Sequence, residues 1–149
     1  MQQRAISVIA SQFAILVLFG LHTLSAMSAE TACNASAEQY WKTFRNAVLQ
    51  NDLSTIVNLS SFPFEVRGIL DENTKRTILR EEFHKLFPSL LEADPGMSPT
   101  PTTMKWLLNT ATSLSPSFCN AYENQFRVGT WVFELTSDGW RFIQAFVDE

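Results

Sequence analysis

Histidine, cysteine and glycine are scarce in this chain of 149 residues, which contains two histidines, two cysteines and five glycines. A zinc site needs His, Cys or carboxylate ligands clustered at a regular spacing, and the sequence has no such cluster. It also lacks a glycine-rich phosphate loop and the Gly-x-Ser-x-Gly turn of serine hydrolases. We therefore expect no cofactor.

Basic runs are absent as well. The 11 Lys and Arg residues are outnumbered by 15 Asp and Glu residues, which gives a formal net charge of −4. A mildly acidic protein without a basic run argues against binding to nucleic acid or to an anionic membrane surface. Neither a repeat nor a low-complexity tract is visible, and the length suits one domain.

The first 29 residues have the order of a secretory signal peptide. Arg4 precedes an apolar run over 5–21, and the small residues Ala26 and Ala29 follow it. Polar residues interrupt this run, so its strictly apolar part is shorter than the roughly 18 residues of a spanning helix. We expect cleavage after Ala26 or Ala29, no stable membrane span afterwards, and a single secreted domain over 30–149. An uncleaved anchor is the alternative.

Export would place Cys33 and Cys119 in an oxidising compartment that favours their pairing. For the loop that a disulfide between Cys33 and Cys119 would close, the chain-entropy model gives a stabilisation of about 4–5 kcal/mol. Such a disulfide would join the start of the first helix to the segment before the C-terminal strands. Two reduced thiols are the alternative. A catalytic thiol is disfavoured because no base pattern accompanies either cysteine.

Two alternating runs within 125–147 predict a C-terminal β-hairpin. Asp138-Gly139 stands between them, and this dipeptide is a strong signal for a two-residue hairpin turn. That turn would place Trp131 opposite Phe146 and gather the aromatic side chains on one face of the hairpin. A three-residue loop with Gly139 in a bulge is the alternative register.

The preceding chain predicts helices that would cover this hairpin, because apolar residues recur there at helical spacing. The predicted elements are a helix over 37–50, a short helix over 53–59 capped by Asn51-Asp52, a strand over 62–70, a brief return strand within 74–78 and a helix over 77–92. Pro88 falls inside the last pattern and should kink or end that helix near Phe87.

Residues 94–117 form an irregular flap rich in proline, serine and threonine. The flap contains one apolar island, Met104–Leu108, for which we expect a short helix capped by Thr102 or Thr103. So long an irregular stretch in a compact domain is usually functional or mobile. Three interpretations are open: the island folds over a cavity as a lid, faces a partner, or docks as an ordinary connection.

Helices, a strand, a long helix and a terminal set of strands make an α+β order. Three segments, Tyr40–Val48, Phe62–Gly68 and Arg80–Phe83, resemble small exported bacterial proteins of the NTF2-like superfamily, most of which have no assigned activity. The resemblance implies an NTF2-like, or cystatin-like, cone in which N-terminal helices pack on a curved antiparallel sheet that ends in a C-terminal hairpin. It also implies a pocket at the open end and, together with the signal peptide, secretion into a bacterial periplasm. The flap occupies part of the place where family members have another strand.

The sequence arranges no acid, base and nucleophile together, so we expect an exported non-catalytic module that binds a small apolar ligand or an envelope protein. The candidates to line its pocket are Tyr40, Glu65, Arg67, Trp106, Trp131, Glu134 and Arg141, with Arg127 as a further polar group. Each charged candidate has the competing interpretation of a solvated strand residue. A homodimer through the sheet is another candidate assembly, as is a complex made through 99–116.

The alternative function is a small isomerase- or lyase-type enzyme, because the superfamily includes enzymes resembling ketosteroid isomerase and scytalone dehydratase. Glu65 or Glu134 would be the base and Tyr40 the hydrogen-bond donor, which requires the groups to meet in one cavity. An arginine close to each glutamate lowers the pKa of its carboxyl, which does not suit an acid that must stay neutral. His84 is the one histidine beyond the signal peptide, and it lies on the flank of a helix stripe.

Overall fold

The described residues of the computed structural model are 35–69, 75–96, 100, 102–119 and 124–147. The helices are α1 (Ala35–Leu49), α2 (Leu53–Asn58), α3 (Arg80–Glu92) and α4 (Met104–Thr110), followed by a 3₁₀ turn at Pro116–Phe118. The strands are β1 (Ser60–Gly68), β2 (Arg76–Ile78), β3 (Gln125–Val128), β4 (Trp131–Thr136) and β5 (Gly139–Val147). The expected signal peptide and Cys33 lie outside the described residues. Within those residues no helix has the length and apolar character to cross a membrane.

The five strands form one open mixed sheet in the order β2-β1-β5-β4-β3. Neighbouring strands are antiparallel except for β1 and β5, which run parallel. The α+β class is confirmed, and the expectation of a wholly antiparallel sheet is wrong at this pair. A parallel pair needs a long crossover connection. The chain between β1 and β5, which includes α3 and α4, provides it.

Helices α1 and α3 pack against the same face of the sheet, which we call the inner face. From α1, the rings of Trp41 and Phe44 lie 5.9 and 5.1 Å from the ring of Phe133. From α3, the ring of Phe83 lies 5.1 Å from that of Phe64. Most of these contacts are edge-to-face, the arrangement that aromatic pairs prefer. The inner face is therefore closed by rings from both layers.

The C-terminal hairpin forms, but its register differs from the expected one by two residues. Thr136 pairs with Gly139, so the turn is Ser137-Asp138, and Leu135 lies opposite Trp140. Gly139 follows the turn with a φ of +94°, a conformation that glycine adopts without steric cost. The Asp-Gly signal thus predicts the hairpin correctly and misplaces its turn by one position.

A bulge in β5 between Phe142 and Gln144 changes which side chains face inward. Ala145 lies opposite Trp131 and is buried in the core, whereas Phe146 turns to the opposite, outer face. The expectation that Phe146 would pair with Trp131 is wrong. One extra residue at the bulge reverses the alternation of all the residues that follow it.

Side chains cap two of the short helices as the sequence predicts. Asp52 accepts a hydrogen bond from the Thr55 amide at 3.1 Å at the start of α2. Thr103 accepts one from the Trp106 amide at 3.2 Å at the start of α4. Both bonds satisfy amide groups that the first turn of a helix leaves without a partner.

Helix α3 continues through Pro88 and ends at Glu92, so it does not stop near Phe87. Proline removes one helical hydrogen bond and crowds the preceding turn. Phe87 and Leu90 on either side of it are both buried against the core. Burial of these side chains offsets the cost of the proline, a tertiary effect that the local pattern does not contain.

Candidate functional site

The structure does not gather the seven predicted pocket residues into one cavity. Tyr40 and Trp131 belong to the packed core. The Tyr40 hydroxyl donates a hydrogen bond to the Leu59 carbonyl at 2.7 Å. Burial raises the pKa of this hydroxyl above its usual range. Tyr40 is thus a neutral, hydrogen-bonded core residue.

Glu65 and Arg67 lie on the outer face of β1, close to Lys75. The Glu65 carboxylate forms ion pairs with Lys75 and with Arg67, the latter at 3.0 Å. Hydrogen bonding to Lys75, with a smaller contribution from Arg67, lowers the pKa of the Glu65 carboxyl. A carboxylate held in its charged form by two cations is a weak proton acceptor.

Glu134 and Arg141 are direct partners in the β4–β5 ladder. The Glu134 carboxylate accepts a hydrogen bond from Gln125 Nε2 at 2.6 Å, and Arg141 donates to the Trp140 carbonyl at 2.8 Å. Both side chains therefore bond to groups other than each other. Because Tyr40 lies inside while both candidate glutamates lie outside, the groups of the isomerase-type hypothesis do not converge.

The part of the flap that contains α4 is fixed to α1. Trp41 Nε1 donates to the Ala111 carbonyl at 3.1 Å. Arg45 Nε donates to the Leu108 carbonyl at 2.6 Å. Hydrogen bonds from two helix side chains to the end of α4 satisfy carbonyl groups that the helix itself leaves open.

The apolar island of the flap is divided between the core and the surface. Met104 and Leu108 are fully buried, whereas Trp106 is 54% exposed. Residues four apart on a helix share a face, and a residue midway between them points elsewhere. The island therefore docks as part of the core and leaves one tryptophan on the surface.

An open cavity of about 400 Å³ lies at one end of the sheet. Strands β1, β3 and β5 run in the same direction, so their C-terminal ends meet there. We call it the sheet-end cavity, and its lining residues are Ile69, Pro95, Gly96, Arg127, Gly129, Thr130 and Phe146. The volume lies within the range of sites that hold small organic molecules.

Arg127 is the charged member of this lining. Its guanidinium carbon lies 4.6 Å from the centroid of the Phe146 ring, which is a cation–π contact. Arg127 forms no hydrogen bond or ion pair with any residue that the structure describes. The side chain is half-buried, and it has no anion among the residues that the structure describes.

Gly129 and Thr130 form the turn between β3 and β4. Gly129 has a φ of +56°, and a Cβ there would lie 2.6 Å from the Met104 sulfur and 3.1 Å from Pro95 Cβ. Both the conformation and the close approach require glycine. Thr130 is 3% exposed, and its hydroxyl has no hydrogen-bond partner in the described part of the chain. Leaving a buried hydroxyl unpaired costs roughly 1–3 kcal/mol.

A second open groove, of about 360 Å³, lies among α1, α2, α3 and α4. Its lining is mainly apolar and consists of Val48, Asn51, Leu53, Ile56, His84, Phe87, Pro88, Leu91, Glu92 and Lys105. His84 belongs to this groove and not to a cluster with the candidate glutamates. Within the described residues no group of three His, Cys, Asp or Glu side chains could hold a metal ion.

Sequence reasoning missed most of the sheet-end cavity. Arg127 was expected only as a polar group of an inward pocket, and Thr130 and Phe146 were not expected to contact a ligand. The one local signal is Gly129, which marks a turn after a strand. The cavity forms because Pro95 and Gly96 come near this turn in space, and no sequence pattern predicts that approach.

No model of a known family, no characterised protein and no solved structure matches this chain. What the structure establishes is an α+β domain with an open five-stranded mixed sheet and helices packed against it. The NTF2-like resemblance and the expected homodimer stay predictions.

Proposed function

We propose that this protein is an exported, non-catalytic module of NTF2-like fold that binds a small organic ligand in the sheet-end cavity. The observation that carries the proposal is that two polar groups in the cavity lining have no hydrogen-bonding or charged partner among the described residues. Among the residues that the structure describes, Arg127 is a half-buried cation without an anion, and Thr130 holds a buried hydroxyl without a partner. The unpaired hydroxyl is costly in the unliganded protein, and a ligand that bonds to it and to Arg127 would offset that cost.

The order and placement of the elements support the NTF2-like part of the proposal. Helices α1 and α3 pack on the inner face of the sheet, and the strands β3, β4 and β5 follow them along the chain. The flap departs from the family pattern because it contributes α4, where the resemblance implies another strand. A protein of this kind would bind its ligand outside the ring-filled interior.

The position of Cys119 supports export and the proposed disulfide. The backbone of Cys119 forms an isolated antiparallel β-bridge with Phe126. The ring of Phe126 lies 5.1 Å from that of Trp140. Trp140 Nε1 donates to the Ser36 hydroxyl at 2.9 Å, and Ser36 lies three positions after Cys33 in the chain. These contacts put Cys119 on the same side of the core as the first turn of α1, which supports the proposed disulfide. A secreted protein that is two hydrogens lighter than its reduced form would support the bridge.

An amide NMR screen tests the binding site. We expect at least one compound in a panel of small aromatic and aliphatic acids, amides and alcohols to shift the amide signals of Gly129 and Thr130. The same compound should raise the melting temperature, because a ligand at 100 times its Kd adds about 2.7 kcal/mol to stability. A panel that shifts only signals outside the sheet-end cavity would contradict the proposal.

Two tryptophan substitutions provide a matched control for the screen. Ile69 and Leu135 are each 41% exposed, but only Ile69 lines the cavity. Ile69→Trp should fill part of the cavity and weaken binding at least tenfold. Leu135→Trp changes an equally exposed residue of β4 and should leave binding unchanged. Equal effects of the two substitutions would show that the ligand binds elsewhere.

A further inference from the structure

We infer that the ligand of the sheet-end cavity is a small organic carboxylate whose charged group pairs with Arg127 and whose apolar part lies against Phe146 and Ile69. The inference rests on the proposed function, because it names the chemistry of the ligand for that same site. It goes further than a generic apolar ligand, which is what the sequence alone predicts.

The geometry of Arg127 favours a planar anion. A guanidinium carries five N–H donors in a fixed fork, and a carboxylate accepts two of them in parallel. The contact with Phe146 places the guanidinium carbon over the ring and does not use the N–H donors in hydrogen bonds. An arginine already held against a ring loses less side-chain entropy on binding an anion than a fully solvated one does.

The acidic side chains that the structure describes near the outer face already have partners of their own. Glu65 is paired with Lys75 and Arg67, and Glu134 accepts from Gln125. Asp94, the acid closest in sequence to the cavity lining, accepts from the Gly96 amide at 2.7 Å. No carboxylate of the described residues therefore neutralises Arg127, and an external one can take that place.

The remaining lining indicates that the anion is attached to an apolar group. A cavity of about 400 Å³ is far larger than an inorganic anion needs. Ile69, Pro95 and Phe146 supply apolar walls, which favour an apolar body because its surface is removed from water on binding.

Thr130 can add a hydrogen bond to the same ligand. Its methyl carbon is the nearest heavy atom to the position that a Cβ on Gly96 would occupy, at 3.9 Å. The methyl group thus points towards the cavity lining, and the hydroxyl is buried behind it. A rotation about χ1 between staggered rotamers exchanges these two groups and would present the hydroxyl to the ligand.

The test compares benzoate, its neutral isostere benzamide and inorganic phosphate by amide NMR titration of the secreted, oxidised protein. We expect benzoate to shift Gly129 and Thr130 and to bind at least tenfold more tightly than benzamide or phosphate. Arg127→Gln should lose at least tenfold in benzoate affinity. Arg127→Lys keeps the charge without the forked donors, so its benzoate affinity should lie between those of wild type and Arg127→Gln.

Arg80→Gln is the matched control for these variants. Arg80 also stacks on a phenylalanine, with its guanidinium carbon 4.9 Å from the Phe62 ring centroid, but it does not line the sheet-end cavity. Its replacement should leave benzoate affinity within twofold of wild type. Near-ultraviolet circular dichroism of each variant verifies that the aromatic core is intact.

The outcomes separate the two claims. If benzamide binds as tightly as benzoate, and Ile69→Trp weakens both while Arg127→Gln weakens neither, the cavity is a ligand site and the carboxylate inference is wrong. If phosphate competes equally with benzoate, the site recognises charge alone and the apolar part of the inference is wrong. If no member of the panel shifts Gly129 or Thr130 at millimolar concentration, the proposed function itself fails.

Discussion

The two faces of the sheet carry different kinds of side chain, aromatic on one and charged or amide on the other. On the inner face, Phe133 and Phe142 lie 5.1 Å apart and are both fully buried among the rings of α1 and α3. On the outer face, charged and amide side chains pair with one another, as Glu65 does with Lys75 and Glu134 with Gln125. The side chains of the inner face pack in the core, whereas the outer face carries all the candidate charged groups of the sheet.

This difference determines where a ligand can bind. Cores of this kind are packed like organic crystals and leave few voids larger than water. A family with an open cone would place its ligand on the inner face, where rings from both layers close the space here. The sheet-end cavity lies where the outer face meets the turn after β3, and its unpaired groups distinguish it from the paired charges elsewhere on that face.

Two phenylalanines of β5 test the comparison with the largest expected effect. Phe142→Ala removes a buried ring that contacts rings from α1, α3 and β4, and we expect a loss of about 3–5 kcal/mol in the free energy of unfolding. Phe146→Ala removes a half-buried ring on the outer face and should cost about 1 kcal/mol. Urea unfolding at neutral pH measures both. Similar losses for the two variants would mean that the inner face does not dominate stability.

Two glycines with positive φ test the close approach beneath the cavity. A Cβ at Gly129 would clash with the Met104 sulfur and with Leu107 at 2.9 Å, whereas the atom nearest to a Cβ at Gly96 lies 3.9 Å away. Gly129→Ala should therefore lose about 2–3 kcal/mol through strain and overpacking. Gly96→Ala carries the backbone strain alone and should lose about 1 kcal/mol. Thermal unfolding distinguishes them, and equal losses would show that the approach relaxes freely.

The hairpin shows how far a local signal reaches. Alternation and the Asp138-Gly139 pair predict both strands and their turn, because these features depend on neighbouring residues. The register depends on whether Gly139 lies within the turn or directly after it. The bulge after Phe142 depends on the pairing of β5 with both β1 and β4. Phe146 accordingly reached the opposite face from the expected one. Local periodicity predicts elements better than it predicts pairing.

The sheet-end cavity illustrates what sequence reasoning leaves out. Glu65 and Glu134 are catalytic candidates by residue type, because carboxylates are common general bases. In the folded chain Glu65 is ion-paired with two cations, whereas Glu134 accepts a hydrogen bond from the neutral Gln125 amide. Within the described part of the chain, Arg127 and Thr130 are distinguished by the partners that they lack. A missing partner is a property of the whole fold, because every element packed nearby must be known before a group can be called unpaired.

Two buried hydroxyls test whether a hydrogen-bond partner determines the effect of a hydroxyl on the free energy of unfolding. We expect effects near about 1 kcal/mol in opposite directions. The Ser60 hydroxyl donates to the Ile56 carbonyl at 2.8 Å, so Ser60→Ala should destabilise the protein by about 1 kcal/mol. Thr130→Val removes an unpaired hydroxyl at constant shape and should stabilise the unliganded protein by about the same amount. Urea unfolding without ligand provides the measurement. A destabilised Thr130→Val would reveal a partner for that hydroxyl.

The ion pairs of the outer face should give the smallest effect, seen as a dependence of stability on pH. The pKa of the Glu65 carboxyl is lowered in the folded state, chiefly by its hydrogen bond to Lys75. Its contribution is therefore present above the unfolded pKa and is lost as the pH falls through the folded pKa. Because the pair is largely solvated, we expect less than about 1 kcal/mol.

Glu65→Gln should remove this acid-dependent part, so that the difference in unfolding free energy between wild type and variant shrinks as the pH falls from 7 towards 3. Lys75→Gln should remove most of it too, because Lys75 is the main cause of the lowered pKa. High salt should weaken the wild-type contribution as it screens the charges. A difference that grows as the pH falls would mean that Glu65 is stabilised in its protonated form, against the geometry of two cations around one carboxylate.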